Sequence, residues 1–233
     1  MPYGLAFDGQ YVWASLQNPG YLDKIDPATN TVVQSIHIND SAGGVLYDFG
    51  SVWVPGISTT GTAPSSVVRI EPSTGAILAT IQAGVAGYGI TAFKGHVWVA
   101  NSNSNTITKI DPATNGVLDT IPTGQLPFEM TNDGTNLWVS NRLAGYVSKI
   151  DPVTDQVLDT VPTGESVGMG FDGRSVWVGT FSTGNITRID PVSDKVTAVL
   201  GLGGTPCAVA WDGAYLWASQ WANNTLYRVY AGH

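Results

Sequence analysis

The sequence predicts an all-β fold, a six-bladed β-propeller of four-stranded antiparallel blades, the last blade lacking its outer strand. Three observations carry that prediction. A tryptophan recurs at Trp13, Trp53, Trp98, Trp138, Trp177 and Trp217, in steps of 40, 45, 40, 39 and 40 residues. Five residues before it stands Asp8, Asp48, Phe93, Asp133, Asp172 or Asp212, usually with Gly next. Downstream comes Ile-Asp-Pro-x-Thr or a variant, at Asp26-Pro27, Glu71-Pro72, Asp111-Pro112, Asp151-Pro152 and Asp190-Pro191. A four-stranded unit of about 40 residues is the signature of a propeller blade.

The stretch from Gly89 to Ile121 shows the unit most clearly. Four β-branched runs are separated by Lys94-Gly95, by the cluster Asn101 to Asn105, and by the turn Asp111 to Gly116. That is a meander of antiparallel strands. The blades are expected at about 4–38, 43–82, 87–121, 127–161, 166–200 and 206–233. No linker divides them, so residues 1–233 read as one domain. Asp-Gly suits a tight hairpin with positive φ. Asp-Pro-x-Thr suits a type I turn. One carboxylate per blade cannot converge on one ion, so these acids read as turn formers. The six tryptophans are expected to pack between blades, burying roughly 150–250 Å² each.

Blade two carries a five-residue excess in its loop Ile57 to Ser65. An insertion of that kind marks a binding face or is a tolerated surface loop. Blade six ends on Thr225 to Tyr230, and Met1 to Tyr3 are too short to supply its missing strand. That edge is expected either to pair with another chain, giving self-association, or to carry a protecting device.

Net charge is −8, with only ten Lys plus Arg. That argues against nucleic acid and anionic membranes as partners, since both require basic patches. A single cysteine, Cys207, excludes an intrachain disulfide. No apolar run approaches the roughly 18 residues of a membrane-spanning helix. The start, Met1-Pro2-Tyr3-Gly4-Leu5, enters the first blade directly, so no signal peptide is expected. Few lysines and many Thr, Asn, Ser and Gly suit an extracellular, periplasmic or virion-associated protein. The sequons at Asn39, Asn185 and Asn223 arise by chance in such a chain.

The turn end of each blade repeats and reads as scaffold. The other end varies and reads as the functional face. Three residues after the tryptophan stand Leu16, Gly56, Asn101, Asn141, Thr180 and Gln220; next come Gln17, Ile57, Ser102, Arg142, Phe181 and Trp221. Ten residues before it stand Tyr3, Gly43, Tyr88, Phe128, Val167 and Cys207. Nine before it, four glycines and one alanine are interrupted by Glu129. A lone carboxylate there can take a cation, an amine or a proton, or pair with Arg142. The expected ligand site is therefore Tyr3, Tyr88, Phe128, Glu129, Asn141, Arg142, Phe181, Gln220 and Trp221, a mix suited to a small molecule, glycan or peptide. None of His37, His96 and His233 falls on these positions, and Cys207 reads as a small packed residue. No catalytic residue, metal site or cofactor is expected from the residues themselves.

Trp98-Val99-Ala100-Asn101 and Trp138-Val139-Ser140-Asn141 lead through Ile-Thr-Lys-Ile or Val-Ser-Lys-Ile to Asp-Pro-x-Thr. This pattern resembles the YVTN-type β-propeller repeats, with Trp in place of Tyr. The Asp-Gly-x-x-Leu/Val-Trp-Val element resembles the virginiamycin B lyase-like superfamily. The resemblance covers nearly the whole chain and rests on scaffold motifs. It implies a propeller; within the lyase branch it implies seven blades, magnesium and a histidine-centred site. This sequence has six blades and no histidine on the matching positions. The expected function is a binding module, and an enzyme is disfavoured. The alternatives are a metal-assisted lyase or lactonase, with a divalent cation near Glu129 or Arg142, and a structural propeller of a larger surface or virion protein.

Overall fold

The computed structural model describes residues 1–38, 41–58 and 62–230. The sequon at Asn39, the middle of the blade-two loop and His233 lie outside the described residues. Every regular element among the described residues is a strand, and the fold is a six-bladed β-propeller. The blades fall into two compact units, Met1–Ile121 and Pro122–His233.

The first unit holds three blades. Blade one is β1 (Pro2–Phe7), β2 (Val12–Leu16), β3 (Tyr21–Asp26) and β4 (Thr31–His37), paired in that order. Blade two is β5 (Ser41–Ala42), β6 (Leu46–Asp48), β7 (Ser51–Ile57), β8 (Ser66–Ile70) and β9 (Ile77–Gln82). Its inner strand is therefore in two pieces, β5 and β6, both paired to β7. The break falls at Gly43-Gly44-Val45, where Gly44 N–H turns to the Tyr88 carbonyl of the next blade, 2.8 Å away. Blade three is β10 (Gly87–Phe93), β11 (His96–Asn101), β12 (Thr106–Asp111) and β13 (Gly116–Pro122).

The second unit holds the other three. Blade four is β14 (Pro127–Asn132), β15 (Leu137–Asn141), β16 (Tyr146–Ile150) and β17 (Val157–Pro162). Blade five is β18 (Ser166–Phe171), β19 (Val176–Thr180), β20 (Asn185–Asp190) and β21 (Lys195–Gly201). Blade six is the three-stranded sheet of β22 (Pro206–Trp211), β23 (Leu216–Gln220) and β24 (Thr225–Val229).

The core lies between successive blades, because a single sheet cannot bury both its faces. Trp13 packs among Leu22, Ile36, Val52, Val54 and Val68, and Trp53 among Val67, Ile81, Val97 and Val99. In the second unit Trp138 packs among Val161, Met169 and Val178, and Trp177 among Val209, Leu216 and Ala218. Trp13, Trp53, Trp98, Trp138 and Trp177 are all at most 1% exposed. Trp217 is half-buried instead, because no blade follows blade six within its unit.

Both turn types carry more structure than their motifs announce. Blades one, four, five and six use the four-residue Asp-Gly-x-x loop. Asp8 Oδ1 accepts from the N–H groups of Gln10 and Tyr11, at 2.8 and 2.6 Å, and Asp133, Asp172 and Asp212 repeat this. Blades two and three substitute two-residue hairpins, Phe49-Gly50 and Lys94-Gly95, with positive φ at both positions, the geometry that matches strand twist. The Asp-Pro turns close one residue later than a type I turn. Asn30 N–H donates to the Asp26 carbonyl at 2.8 Å. That requires a left-handed fifth residue, supplied by Asn30, Gly75, Asn115, Asp155 and Asp194. These residue types tolerate that conformation best.

Candidate functional face

The repeated aspartate does two jobs. Its Oδ1 caps the hairpin, and its Oδ2 accepts the indole N–H of the blade's tryptophan. The distances are 2.8 Å for Trp13–Asp8 and Trp138–Asp133, and 2.7 Å for Trp177–Asp172 and Trp217–Asp212. Where the aspartate is displaced or absent, the indole turns to a backbone carbonyl, Asp48 O or Phe93 O. Trp217 and the N–H groups of Tyr215 and Ala214 hold the Asp212 carboxyl below the usual carboxylate range.

A cation stands opposite every tryptophan on the third strand: Lys24, Arg69, Lys109, Lys149, Arg188 and Arg228. These are six of the ten Lys plus Arg. Their heads lie over the indole in the first five blades, for example 4.8 Å for Arg69 on Trp53 and 5.0 Å for Lys109 on Trp98. Several also reach the next blade's Asp-Pro turn. Lys24 donates to the Pro72 carbonyl at 2.7 Å, Arg69 to that of Pro112 at 2.7 Å, and Lys149 to that of Pro191 at 2.8 Å. Three of the ten positive charges, Lys24, Arg69 and Lys149, thus tie one blade to the next. A groove of about 420 Å³ at the turn end of blades one and two is lined by Asp8, Tyr11, Lys24, Tyr47 and Glu71. Asp8 and Lys24 there are already engaged in these structural bonds.

The varied end is built differently. In every blade but the second, the inner strand carries a bulge; in blade four it falls between Pro127 and Met130, opposite Asn141 and Val139. The bulge re-aims the residue nine before the tryptophan toward the following blade. Space there is short. A Cβ on Gly4 would strike the backbone of Gly44 and Val45, and one on Gly168 that of Cys207 and Ala208. Serines pin three of these bulges. Ser140 Oγ accepts from Glu129 N–H at 2.9 Å and donates to the Val167 carbonyl at 2.8 Å; Ser15 does the same with Gly4 and Gly43.

Glu129 occupies this crowded position in blade four. Its side chain keeps some contact with solvent, yet protein surrounds it closely enough that burial pushes its carboxyl up to about 7, against an opposing hydrogen bond from the Met130 N–H. Arg142 does not pair with it. Arg142 Nε donates to Glu165 Oε1 at 2.9 Å, and its guanidinium lies 4.7 Å over the Phe181 ring. Glu165 comes from the connection between blades four and five. Sequence reasoning missed it, since that connection has no repeated motif to mark it.

Arg142, Phe181 and Trp221 hold equivalent positions in blades four, five and six. Each donates its backbone N–H to the connection before its blade, at Leu126, Glu165 and Thr205. That common anchor lines the three side chains up. Phe181 meets Trp221 edge to face at 6.2 Å and 71°, and Trp221 is 61% exposed. The stack therefore runs from an ion-paired guanidinium to an indole open to solvent. Cys207 is partly covered beside it, and burial raises its thiol.

The amide positions divide. Asn141 is fully buried; Thr123 Oγ1 donates to its Oδ1 at 3.1 Å, and its Nδ2 donates to Ser148 Oγ at 2.8 Å. Its polar groups are used inside the blade. Gln220 stands at the same register and is 3% exposed, and the third-strand position held by Ser148 in blade four is Tyr227 in blade six. Neither end of its amide has a partner among the described residues. Phe128 is half-buried on the blade-four bulge. In the first unit, Tyr3 and Tyr88 meet edge to face at 5.9 Å and 65°.

No protein-family model and no curated protein matches the sequence. Solved structures do. A streptogramin B lyase is similar at 16% identity and a TM-score of 0.80, over 100% of this chain and 83% of that one. A catalytically inactive histidine-to-alanine virginiamycin B lyase from Staphylococcus aureus, with quinupristin, is similar at 18% identity and 0.78, over 98% and 83%. A chain of the mitotic checkpoint complex is similar at 13% identity and 0.84, over 97% and 74%. Likeness at this identity shows the fold alone.

Proposed function

We propose that this chain is a binding module whose ligand face is the varied end of the second unit. The observation that carries the reading is the stack of Arg142, Phe181 and Trp221, fixed at one side by Glu165 and open at the other. Its exposed indole offers a flat apolar surface of the kind that takes a sugar ring or an aromatic side chain of a peptide. The buried Gln220 amide supplies a donor and an acceptor without partners among the described residues, which favours a ligand carrying hydroxyls or amides. Asn141 and Phe128 serve by shaping blade four. Tyr3 and Tyr88 belong to the varied end of the first unit. Propellers of similar fold occur in protein assemblies, which supports a peptide or protein as ligand.

The test is an array of glycans and peptides probed with the native chain and with Trp221→Ala. Ligands held by the stack should lose roughly 1–4 kcal/mol of binding on removal of the indole, with an unchanged melting temperature. Retention of every ligand by Trp221→Ala would remove the reading.

One observation favours a second reading, acid–base chemistry. A carboxyl pushed up to about 7 at Glu129 is poised for proton transfer near neutrality, and lyases are among the propellers of similar fold. A divalent cation belongs only to this reading. No group of three or more His, Cys, Asp or Glu gathers among the described residues. Quinupristin left intact after incubation with the chain and magnesium would count against the lyase form of this reading.

A further inference from the structure

At the junction of blades one and two, the turn end departs from its own repeat in three places. Two residues before the tryptophan, blades two and five carry Ser51 and Ser175. Their Oγ atoms accept from the cation of the same blade, Arg69 Nε and Arg188 Nε, both at 2.9 Å. Blade one has Tyr11 there, and Lys24 Nζ lies 4.1 Å over its ring. The fifth residue of the following turn also meets a cation in two other places. Arg69 Nη1 donates to Asn115 Oδ1 at 2.9 Å, and Lys149 Nζ to Asp194 Oδ1 at 2.8 Å. In the blade-two turn that residue is Gly75, which has no side chain to offer Lys24.

The third departure is Glu71, which opens the blade-two turn in place of Asp. In the other four turns an Asp Oδ1 accepts the N–H two residues on, at 2.8 or 2.9 Å. Glu71 holds Ser73 more loosely through Oε1, at 3.3 Å to the backbone N and 3.1 Å to Oγ. Its Oε2 has no hydrogen bond among the described residues. The turn itself does not require the extra methylene. The groove of about 420 Å³ lies at these departures, and Tyr11, Lys24 and Glu71 line it.

The chemistry of the occupant follows from the groove's charges. Lys24 contributes an ammonium, and Asp8 and Glu71 contribute carboxylates. The Asp8 carboxylate is taken up by Gln10, Tyr11 and Trp13. Lys24 gives one of its three donors to the Pro72 carbonyl. A small anion would meet the carboxylates, and a small cation would meet Lys24. A hydroxyl suits both, since it accepts from an ammonium and donates to a carboxylate. The half-buried rings of Tyr11 and Tyr47 add flat apolar surface for the C–H face of a sugar ring, and the volume is that of a small-ligand pocket.

We propose that this groove is a second ligand site, one that takes a neutral saccharide unit, with hydroxyls on Glu71 and Lys24 and the sugar ring against Tyr11 or Tyr47. It belongs to the first unit and does not use the Arg142, Phe181 and Trp221 stack, so the two readings stand or fall separately.

The probes are glucose, galactose, N-acetylglucosamine, maltose and cellobiose, each titrated into the full chain and read by backbone amide chemical shifts. The expected result is saturable shifts at Gln10, Tyr11, Tyr47, Glu71 and Ser73 with at least one of them. Glu71→Asp restores the residue of the other four turns, so the melting temperature should hold. It should weaken that saccharide by on the order of tenfold, the scale of a hydrogen bond to a charged group. Tyr11→Ser, the residue of blades two and five, should weaken it as well, with circular dichroism establishing that the variant is folded. Absence of saturable shifts in the groove with every probe overturns the proposal, as does equal affinity of the native chain and Glu71→Asp. Shifts confined to Phe181 and Trp221 also overturn it, while leaving the stack as a ligand face. Saturation of the groove by acetate or ethylammonium, with none by the sugars, assigns it to an ion and overturns it too.

Discussion

Replacing Glu129 by Gln should stabilise the protein near neutral pH and leave it unchanged in acid. The side chain stands at a bulge where the other blades keep Gly or Ala. Burial lifts its carboxyl from 4.5 to about 7. The folded state therefore holds this proton more tightly than the unfolded chain does. The stabilisation is full below about pH 4.5, falls as pH rises through the window up to about 7, and is gone above it. At about 1.4 kcal/mol per pH unit, a rise from 4.5 to about 7 amounts to about 3 kcal/mol. Gln keeps the shape and carries no charge. The variant should match the native chain at pH 4.5 and exceed it by up to about 3 kcal/mol at pH 8. The assay is urea unfolding of both proteins across that range, read as a difference so that other groups cancel. Asp8, Asp111, Asp190 and Asp212 titrate in the opposite sense. Their folded values are lowered, so their contributions are lost as pH falls through the acid range below the Glu129 window. Parallel stability curves between pH 4.5 and 8 would refute the assignment of a buried, lifted carboxyl.

Three further outcomes follow from the packing. Trp138→Ala should cost roughly 3–5 kcal/mol, and a loss below about 1 kcal/mol in urea unfolding would place this indole outside the core. Asp172→Ala strands the N–H groups of Arg174 and Ser175 and the indole of Trp177; a loss of roughly 2–4 kcal/mol is expected, and a melting temperature equal to the native one would contradict the capping role. Ser140→Ala removes the bond between the Glu129 bulge and Val167. It should cost about 1–2 kcal/mol and should speed amide exchange at Glu129 before that of the blade as a whole.

The repeat made the fold legible because tryptophan spacing and turn residues are local signals. A hairpin writes Asp-Gly into adjacent positions, and a blade writes its length between successive tryptophans. What stayed hidden depends on pairing across strands. The cation opposite each tryptophan sits eleven residues downstream in most blades, and only the register of Trp138 on Lys149 makes them neighbours. The bulge at Pro127–Met130 leaves no mark in composition, since Gly, Ala and Glu all occupy it. On the varied end, equivalence by position brought Arg142, Phe181 and Trp221 onto one row, and their contacts follow from that row. The same reasoning offered Glu129 as the partner of Arg142. It could not see Glu165, which reaches the guanidinium from a connection without a repeat. Nor could it separate Asn141 from Gln220, because the Asn141 amide is satisfied by Thr123 and by Ser148 on the third strand, where blade six has Tyr227 in place of Ser148.

The most direct test of the binding face is backbone amide chemical-shift mapping, using the tightest ligand that the glycan and peptide array returns. The account predicts saturable shifts centred on Arg142, Glu165, Phe181, Gln220 and Trp221, lost in the double variant Arg142→Ala, Trp221→Ala. Shifts centred instead on the Asp-Pro turns, at Asp151 or Asp190, or undiminished affinity in the double variant, would contradict it.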